Sequence, residues 1–180
     1  MTHGFDQDHW ESHWRQASAH GVGRHIAPDP YLAGEVGGLV SGTALDAGCG
    51  EGAEAIWLAA HGSQVTAGDI STEALARATE SATRQRVRWL AADLGVWEPG
   101  EQFGLVTTHY AHPAMPQLAF YDRLSGWVAP RGSLLLVGHR HTHGQQDHGR
   151  PDDGHRDGGH PPGRASVTAA GVTAVLDSAV

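Results

Sequence analysis

A carboxylate and a set of closely spaced glycines stand out in the first half of the chain. Asp46 ends a short apolar run, and Gly48, Gly50 and Gly52 follow it at alternate positions. Glycine is needed where the backbone takes a positive φ angle or where a ligand presses against the main chain. In α/β folds, a turn of this kind after a strand is where nucleotide-like ligands bind. The segment therefore predicts such a ligand beside Asp46.

Two kinds of ligand fit this loop. Gly48, Gly50 and Ala53 satisfy the G-x-G-x-x-A pattern, in which amides at a helix N-terminus hold the pyrophosphate of a dinucleotide. Asp46 opposes that interpretation, because a carboxylate so close to the first glycine repels a pyrophosphate. The same carboxylate suits a ligand with an ammonium or sulfonium group. An NAD-type oxidoreductase remains the alternative.

Two further acids each follow a predicted strand. Asp69 comes after the run Gln64–Gly68, and Asp93 comes after the run Val87–Ala92. A carboxylate at the end of the second strand of a βαβ unit can accept hydrogen bonds from both ribose hydroxyls. Either aspartate alone is explained as a helix cap or turn residue. Together with Asp46, their order along the chain favours a nucleoside site.

The segment Asp46–Gly52 resembles motif I, D-x-G-x-G-x-G, of the class I S-adenosylmethionine (SAM) methyltransferases. The longer stretch Leu45–Ala59 is similar to the small tellurite-resistance and thiopurine methyltransferases. The resemblance extends from residue 1 to about residue 140. It implies SAM as the cofactor and methyl transfer to a small-molecule acceptor. A non-catalytic or degenerate SAM-binding protein is kept as a further alternative.

The resemblance also implies roles for individual residues. Asp46 and the loop from Gly48 to Gly52 would hold the methionine end of the cofactor. Asp69 would take the ribose, and Asp93 would accept from the adenine amino group. The complete implied cofactor-binding set is Asp46, Gly48, Cys49, Gly50, Gly52, Asp69, Ile70, Asp93, Leu94 and His109.

The acceptor would lie near His109, Tyr110 and His112, at the end of the fourth predicted strand. Histidine has an ordinary pKa of about 6.5 and can remove a proton from a hydroxyl or amine. His112 lies in a loop at the edge of the sheet where ligands bind. We therefore predict His112 as the catalytic base. The alternative is that His109, Tyr110 and His112 only have packing roles in the fold.

Composition restricts the possible partners. The formal net charge is −8, and all 12 basic residues are arginine, so a general nucleic-acid binder is not expected. No apolar run reaches the length of a membrane helix, and the first residues lack a signal-peptide pattern. Cys49 is the one cysteine, which excludes an internal disulfide and predicts a cytoplasmic protein. No metal site is predicted, although His139, His141 and His143 alternate in a His- and Gly-rich stretch.

Strands alternating with helices must position these residues. The predicted helices cover residues 8–19, Tyr31–Val40, Ala53–His61, Thr72–Thr83 and Leu118–Val128. Trp10 and Trp14 lie on one face of the first helix. Ser71 is the predicted N-cap of the fourth of these helices. Pro130-Arg131-Gly132 is a predicted turn before the last strand, Ser133–Gly138, which we predict to be buried on both faces. This alternation predicts an α/β fold: a three-layer, Rossmann-like, doubly wound and mostly parallel sheet of about five strands.

The C-terminal quarter departs from the family pattern. We predict a SAM-binding core at 1–138 with an N-terminal helical cap at 1–40, a flexible loop at 139–165, and a helix at 166–180 capped by Thr168. Relatives continue the sheet with a C-terminal hairpin, for which we find no residues. The run Leu134–Val137 would then be an unpaired apolar edge, which predicts a homodimer through that edge or a less stable, shortened relative.

Overall fold

The computed structural model describes residues 5–19, 27–39, 42–139 and 167–177. These residues form the helices α1 (Gln7–Ala19), α2 (Pro30–Val36), α3 (Ala53–Ala60), α4 (Thr72–Ser81), α5 (Gln117–Ser125) and α6 (Ala169–Asp177). They also form the strands β1 (Thr43–Ala47), β2 (Gln64–Asp69), β3 (Val87–Ala91), β4 (Phe103–His109) and β5 (Val128–Val137). No helix in these ranges is both long enough and apolar enough to span a bilayer.

The strands form one parallel sheet in the order β3-β2-β1-β4-β5. Parallel neighbours need a crossover, and α3, α4 and α5 provide those between β1 and β2, β2 and β3, and β4 and β5. From β1 the chain adds β2 and β3 on one side of the sheet, and it then adds β4 and β5 on the other side. The carboxyl ends of β1 and β4 are therefore the topological switch point, where ligands bind in such folds. The predicted doubly wound, parallel sheet of five strands is confirmed.

Hydrophobic clusters cover both faces of the sheet. One face carries the buried side chains Leu32, Val36, Ala55, Leu58 and Leu75, which belong to α2, α3 and α4. The other carries Leu94 from the segment between β3 and β4, and Phe120, Tyr121, Leu124 and Trp127 from α5 and the turn after it, with Val172 of α6 packed against them. The alternation along β1, with Ala44 facing the first cluster and Leu45 the second, is the period of a strand between two layers. The three-layer prediction is confirmed.

Side-chain caps fix several helix starts. Ser71 accepts a hydrogen bond from the Ala74 amide at 3.2 Å, as predicted. Thr168 accepts from the Gly171 amide at 3.1 Å, so its predicted capping role is also confirmed, although α6 begins only at Ala169. The helix predicted from Tyr31 ends at Val36, before two consecutive glycines, rather than at residue 40.

The turn predicted at Pro130-Arg131-Gly132 lies inside β5. Val128 pairs with Phe103 and Ser133 pairs with Leu105, so residues 129–132 lie opposite Gly104 alone. Arg131 takes a positive φ of 65° within this bulge. Turn-forming residues therefore bend the strand without ending it, because the ladder with β4 resumes on both sides. Because Val128 already pairs with Phe103 of β4, the preceding helix ends at Ser125 and not at Val128.

The prediction that the last strand is buried on both faces is wrong. Leu134, Leu135 and Leu136 are only half-buried, because β5 is the outermost strand of the described sheet. Past its end, the Val167 amide donates to the His139 carbonyl at 3.3 Å. Apart from His139, the predicted loop 139–165 lies outside the described residues, as do His141 and His143, and the division of the chain into core, loop and terminal helix stays a prediction.

Candidate functional site

The glycine loop joins β1 to α3 at the carboxyl edge of the sheet. Gly48 and Gly52 have φ angles of 78° and 79°, which side chains rarely allow. A Cβ atom on Gly48 would lie 2.3 Å from the Ala111 methyl, and one on Gly52 would lie 2.5 Å from the Trp89 ring. These glycines are therefore required by both backbone conformation and space, and the predicted strand–loop–helix unit is confirmed.

Main-chain hydrogen bonds fasten this loop to the neighbouring strand. The amides of Gly48 and Cys49 both donate to the Gly68 carbonyl of β2, at 2.8 and 3.1 Å. The Cys49 side chain is buried. Burial, followed by the charges of Asp46 and Asp69, raises the pKa of its thiol, which therefore stays protonated. Cys49 acts as a small packing residue within the loop.

Asp46 lies in β1 and is 1% exposed. The Ala55 amide donates to its carboxylate, but Oδ2 has no hydrogen-bond partner among the described residues. Burial raises the pKa of Asp46 well above its ordinary value, and the negative charge of Glu54 adds to the shift. A buried carboxylate with an unused oxygen and acidic neighbours favours a ligand that brings positive charge and N–H donors.

Asp69 ends β2 and is tied to two backbone segments. Its Oδ2 accepts from the Gly50 amide and its Oδ1 from the Ser71 amide, both at 2.9 Å. Burial raises its pKa, although these amides oppose the shift by stabilising the charged form. Each carboxylate oxygen can accept a second hydrogen bond, so capacity for ribose hydroxyls remains. Asp46 and Asp69 are electrostatic neighbours, and the structure therefore brings these two predicted residues together.

Asp93 lies on the adjacent strand end but is exposed. Its Oδ1 accepts from the Gly95 amide at 2.8 Å and its carbonyl from the Trp97 amide at 2.8 Å, which begins a turn. Because Asp69 pairs with Ala91 in the sheet, Asp93 follows only two residues beyond that pair. Asp93 and Asp69 thus share the same sheet edge, while no ion pair or hydrogen bond joins their described side chains.

Ile70 and Leu94 occupy different environments. Ile70 is half-buried and comes immediately after Asp69. Leu94 is 7% exposed and belongs to the hydrophobic cluster below the sheet, where a Cβ on Gly68 would lie 3.2 Å from it. The Leu94 side chain therefore packs in the core, and its carbonyl accepts a hydrogen bond from Arg123.

His109 ends β4 beside β1, where Thr107 pairs with Asp46. Its Nδ1 lies 3.4 Å from the Thr107 hydroxyl, while its Nε2 is buried without a partner among the described residues. Burial lowers the pKa of His109, against the opposing charges of Glu54 and Asp29, so the ring is neutral at neutral pH. Nε2 of His109 and Oδ2 of Asp46 are the buried side-chain polar atoms that lack a partner in the described part of the chain. Both belong to the carboxyl ends of adjacent strands.

His112 lies in the loop after β4, beyond Tyr110, which has a positive φ of 53°. Its Nδ1 is 3.4 Å from Gln117 Oε1, and its carbonyl accepts from the Trp10 indole at 3.2 Å. Burial lowers the pKa of His112, which the Gln117 contact opposes and nearby His139 reinforces. The predicted base is therefore neutral near pH 7, as proton abstraction requires.

The N-terminal helix contributes contacts that sequence reasoning missed. Glu11 on α1 accepts hydrogen bonds from Ser71 and Thr72 at the start of α4. A Cβ on Gly50 would lie 3.1 Å from Trp14, and the Arg77 guanidinium donates to the Trp14 carbonyl. The tryptophan spacing indicated one shared face. The carboxylate between the two tryptophans was the available signal that this face meets a helix N-terminus.

Comparison with known proteins agrees with this geometry. The sequence pattern of the family described as a methyltransferase domain matches residues 44–132, which contain the glycine loop and all three aspartates. This match, together with the relatives described below, supports a class I SAM-dependent methyltransferase. The family match agrees with the resemblance that the motif implied.

Relatives and one solved structure extend this result. The chain is 38% identical over 95 residues to an uncharacterized methyltransferase of Mycobacterium tuberculosis, covering 52% of this chain and 48% of that protein. It is 34% identical over 138 residues to a probable thiol methyltransferase of Arabidopsis thaliana, covering 71% and 60%. The chain thus spans about half to three fifths of the length of these relatives. The N-methyltransferase NodS of Bradyrhizobium japonicum, in complex with S-adenosyl-L-homocysteine, shares the fold with a TM-score of 0.61 at 20% identity, covering 72% and 73%.

Proposed function

We propose that this protein binds SAM and transfers its methyl group to a small-molecule acceptor. The observation that carries the proposal is a pair of buried atoms, Asp46 Oδ2 and His109 Nε2, at the carboxyl ends of β1 and β4. Neither atom has a hydrogen-bond partner among the described residues. Buried polar atoms in folded proteins are almost always hydrogen-bonded, so this pair calls for a polar ligand that brings a donor to the Asp46 carboxylate. The family match and the names of the methyltransferase relatives support the same activity.

The residues present fit SAM. Its ammonium group has the donors that Asp46 lacks, and its sulfonium charge suits a loop whose neighbours are Asp46, Glu54 and Asp69. When bound, SAM supplies a methyl group on a sulfonium, which is both electrophile and leaving group. This chain then has to align the acceptor and exclude water. We assign the methionine end to Asp46, His109 and the loop around Cys49, the ribose to Asp69, and the adenine to the edge formed by Ile70, Asp93 and Leu94.

A dinucleotide fits the same groups poorly. A pyrophosphate would bring two negative charges towards buried Asp46, which has Glu54 and Asp69 as its charged neighbours. Calorimetric titration with SAM, S-adenosylhomocysteine and NAD in parallel tests the difference. We expect the two adenosyl sulfur compounds to bind and NAD to give no signal. Binding of NAD alone would overturn the proposal in favour of an oxidoreductase.

Binding must then be separated from catalysis. An acceptor screen with methyl-labelled SAM should transfer label to at least one thiol, hydroxyl or amine compound. The Arabidopsis relative is named as a probable thiol methyltransferase, so small thiols form the first panel. Tight SAM binding with no labelled product across the panels would favour the non-catalytic alternative.

We assign proton removal to His112. It is neutral near pH 7 because burial lowers its pKa, and it lies beyond the end of β4, on the side of the site opposite Asp69 in the strand order. His112→Ala should slow methyl transfer by about 100-fold, within the range for general base catalysis, without weakening SAM binding. Unchanged turnover would remove His112 from the mechanism.

We also propose that β5 mediates self-association. Leu134, Leu135 and Leu136 are half-buried on the outermost strand of the described sheet, and edges of this kind pair with other chains. Sedimentation velocity over a hundredfold range of protein concentration should show a monomer–dimer equilibrium. A folded monomer throughout that range would contradict this assignment.

A further inference from the structure

We infer that Gln117 holds His112 as the Nδ1–H tautomer, so that Nε2 is the atom that accepts a proton. The consequence for catalysis rests on the proposed methyl transfer, whereas the tautomer itself follows from local hydrogen bonding. Gln117 is the first residue of α5 and is 4% exposed, and it lies between the loop that carries His112 and the core.

The orientation of the Gln117 amide is set by the backbone. Its Nε2 donates to the Ala111 carbonyl at 3.0 Å. The reversed amide would place two oxygen atoms at that distance, with neither able to donate, and is therefore disfavoured. Oε1 must consequently face His112, where its distance to Nδ1 is 3.4 Å, at the long end of the hydrogen-bond range.

An amide oxygen can only accept, so His112 Nδ1 must carry the hydrogen for this contact to be favourable. A neutral imidazole has one N–H, which leaves Nε2 with a free lone pair. Neutral histidine in water prefers the opposite tautomer, with hydrogen on Nε2. Gln117 therefore reverses an intrinsic preference, which is how a partner on one ring nitrogen decides the role of the other.

Rings from three parts of the chain hold the imidazole in place. His139, which follows β5, stacks on His112 with centroids 5.5 Å apart and planes 21° apart. Phe5 lies against it at 5.5 Å, and the Trp10 indole donates to its carbonyl. The titratable neighbours are His139, whose pKa is lowered by burial, and Tyr121, which hydrogen-bonds Gln117 and whose pKa burial raises. Both stay neutral near pH 7 and leave the tautomer to Gln117.

The tautomer determines what the site can do. Nε2 takes the proton of the acceptor while the acceptor atom bonds to the methyl carbon and sulfur keeps the electron pair of its broken bond. The imidazolium that results keeps its Nδ1–H on Gln117. The site therefore requires an acceptor whose reacting atom carries a proton, such as a thiol, a hydroxyl or an amine with an N–H. Gln117 is a positioning residue because it acts only through His112.

The tautomer can be read without cofactor or acceptor. Long-range proton–nitrogen correlation spectra of the full chain with ¹⁵N-labelled histidine distinguish protonated from bare ring nitrogens. The spectrum of His112→Gln identifies the His112 signal among the 14 histidines. We expect wild-type His112 to show protonated Nδ1 and bare Nε2. Protonated Nε2 in the wild type would overturn the inference without any Gln117 variant.

Two variants sharpen this test. Gln117→Met keeps the side-chain length but removes the acceptor, and His112 should revert to the Nε2–H form. Gln117→Glu keeps an accepting oxygen towards His112 but loses the donor to the Ala111 carbonyl. It should still favour protonated Nδ1 and raise the pKa of His112 in an NMR titration. Retention of Nδ1–H in Gln117→Met would contradict the inference.

Activity provides a separate arm once an acceptor is known. Gln117→Met should lower kcat by about tenfold to 100-fold, with the pH dependence of kcat shifted and SAM affinity unchanged, and Gln117→Glu should recover part of the loss. If wild-type His112 has the expected tautomer but SAM does not bind, the proposed function fails and the tautomer stands. If SAM binds and label is transferred while His112 carries hydrogen on Nε2, only this inference fails.

Discussion

Glu11 on α1 lies across the first turn of α4, where its Oε1 accepts hydrogen bonds from both the amide and the hydroxyl of Thr72, at 2.7 and 2.8 Å. Its Oε2 accepts from the Ser71 hydroxyl and the Glu73 amide. A helix N-terminus presents amides without intrahelical partners and a positive dipole end. Glu11 satisfies them from a distant part of the chain, and it fixes α1 beside the residues that follow Asp69.

Replacing Glu11 tests this contact. Glu11→Gln keeps the size of the side chain but loses its charge and one accepting oxygen. We expect the free energy of unfolding at pH 7 to fall by about 1–2 kcal/mol, the usual cost of losing a cap or a charged hydrogen bond. Urea unfolding followed by circular dichroism measures this. Glu80→Gln, an exposed position on the same helix, is the control and should change stability by less than about 0.5 kcal/mol.

The Glu11 contact should also depend on pH. Burial opposes ionisation, but the hydrogen bonds from Thr72, Glu73 and Ser71 together lower its pKa below the ordinary 4.5. A carboxyl group whose pKa is lowered by folding stabilises the protein above the unfolded pKa, and this stabilisation is lost as pH falls through the folded value. The stability difference between wild type and Glu11→Gln should therefore be largest near neutral pH and shrink below pH 4.5. A constant difference down to pH 3 would contradict this account.

Local sequence signals were sufficient for the glycine loop and poor for contacts between distant segments. An apolar run, an acid and alternating glycines can form few structures other than a strand, a tight turn and a helix. The Ser71 cap was equally local. By contrast, no spacing rule connects Glu11 with Thr72, because their contact depends on how α1 docks after the sheet has formed. Gln117 was missed for the same reason, since its partner His112 belongs to a loop whose path tertiary packing decides.

Turn chemistry was misleading where sheet pairing competed with it. Pro130-Arg131-Gly132 has the composition of a turn, and the chain does bend there. Hydrogen bonds to β4 on both sides nevertheless keep these residues within β5. Leu94 shows a related limit, because an apolar residue after a strand fits a ligand contact and a core contact equally well until the covering loop is placed.

Replacing Asp46 by asparagine should change SAM binding and the stability of the ligand-free protein in opposite directions. Burial and the charge of Glu54 raise its pKa, so the native state binds its proton more tightly than the unfolded state does. Stability is then lost as pH rises from the unfolded value of 3.8 through the raised native value. Without ligand, the stability of Asp46→Asn relative to wild type should therefore improve between pH 4 and pH 8.

The same variant should lose SAM affinity. Removing one partner of a buried charged pair costs about 2–5 kcal/mol, and each 1.4 kcal/mol is about tenfold in affinity, so binding should weaken by about 30-fold or more. Differential scanning fluorimetry with and without SAM, over a pH series, measures both effects. Asp122→Asn, exposed on α5, is the control. Equal SAM-induced shifts in wild type and Asp46→Asn would remove Asp46 from the cofactor site.

Gly52 and Gly34 should respond in opposite ways to the same substitution. Gly52→Ala forces a side chain into a positive φ of 79° and towards Trp89 and Ala78, at 2.5 and 3.1 Å. We expect a loss of about 2–4 kcal/mol from backbone strain and overpacking together. Gly34 lies in α2, where a Cβ atom would have no neighbour within 4 Å, so Gly34→Ala should stabilise by about 0.5–1 kcal/mol through helix propensity. Chemical denaturation of both variants gives the comparison, and a neutral Gly52→Ala would refute the stated steric requirement.

Arg123 on α5 fastens the segment that follows Asp93. Its guanidinium donates to the carbonyls of Leu94 and Trp97, at 2.9 and 2.6 Å, and pairs with Glu98 at 2.9 Å. It also lies over the Trp127 ring, 5.4 Å from the centroid. Because no helix lies between β3 and β4, this arginine is the main polar link between the loop after Asp93 and the rest of the fold within the described residues.

Arg123→Met should therefore loosen the Asp93 turn more than it lowers global stability. Methionine keeps the apolar contact with Trp127 but leaves the Leu94 and Trp97 carbonyls without their donor, at a cost of about 1–3 kcal/mol. The Trp97 amide, which donates to the Asp93 carbonyl, should exchange its hydrogen about tenfold faster or more, because a local opening free energy lower by about 1.4 kcal/mol gives that factor. Arg88→Met, at an exposed site with a 3.8 Å ion pair, should leave this exchange rate unchanged. Because we place the adenine beside Asp93, we expect SAM affinity to fall in Arg123→Met and not in Arg88→Met. A faster-exchanging turn with unchanged SAM affinity would exclude this turn from the cofactor site.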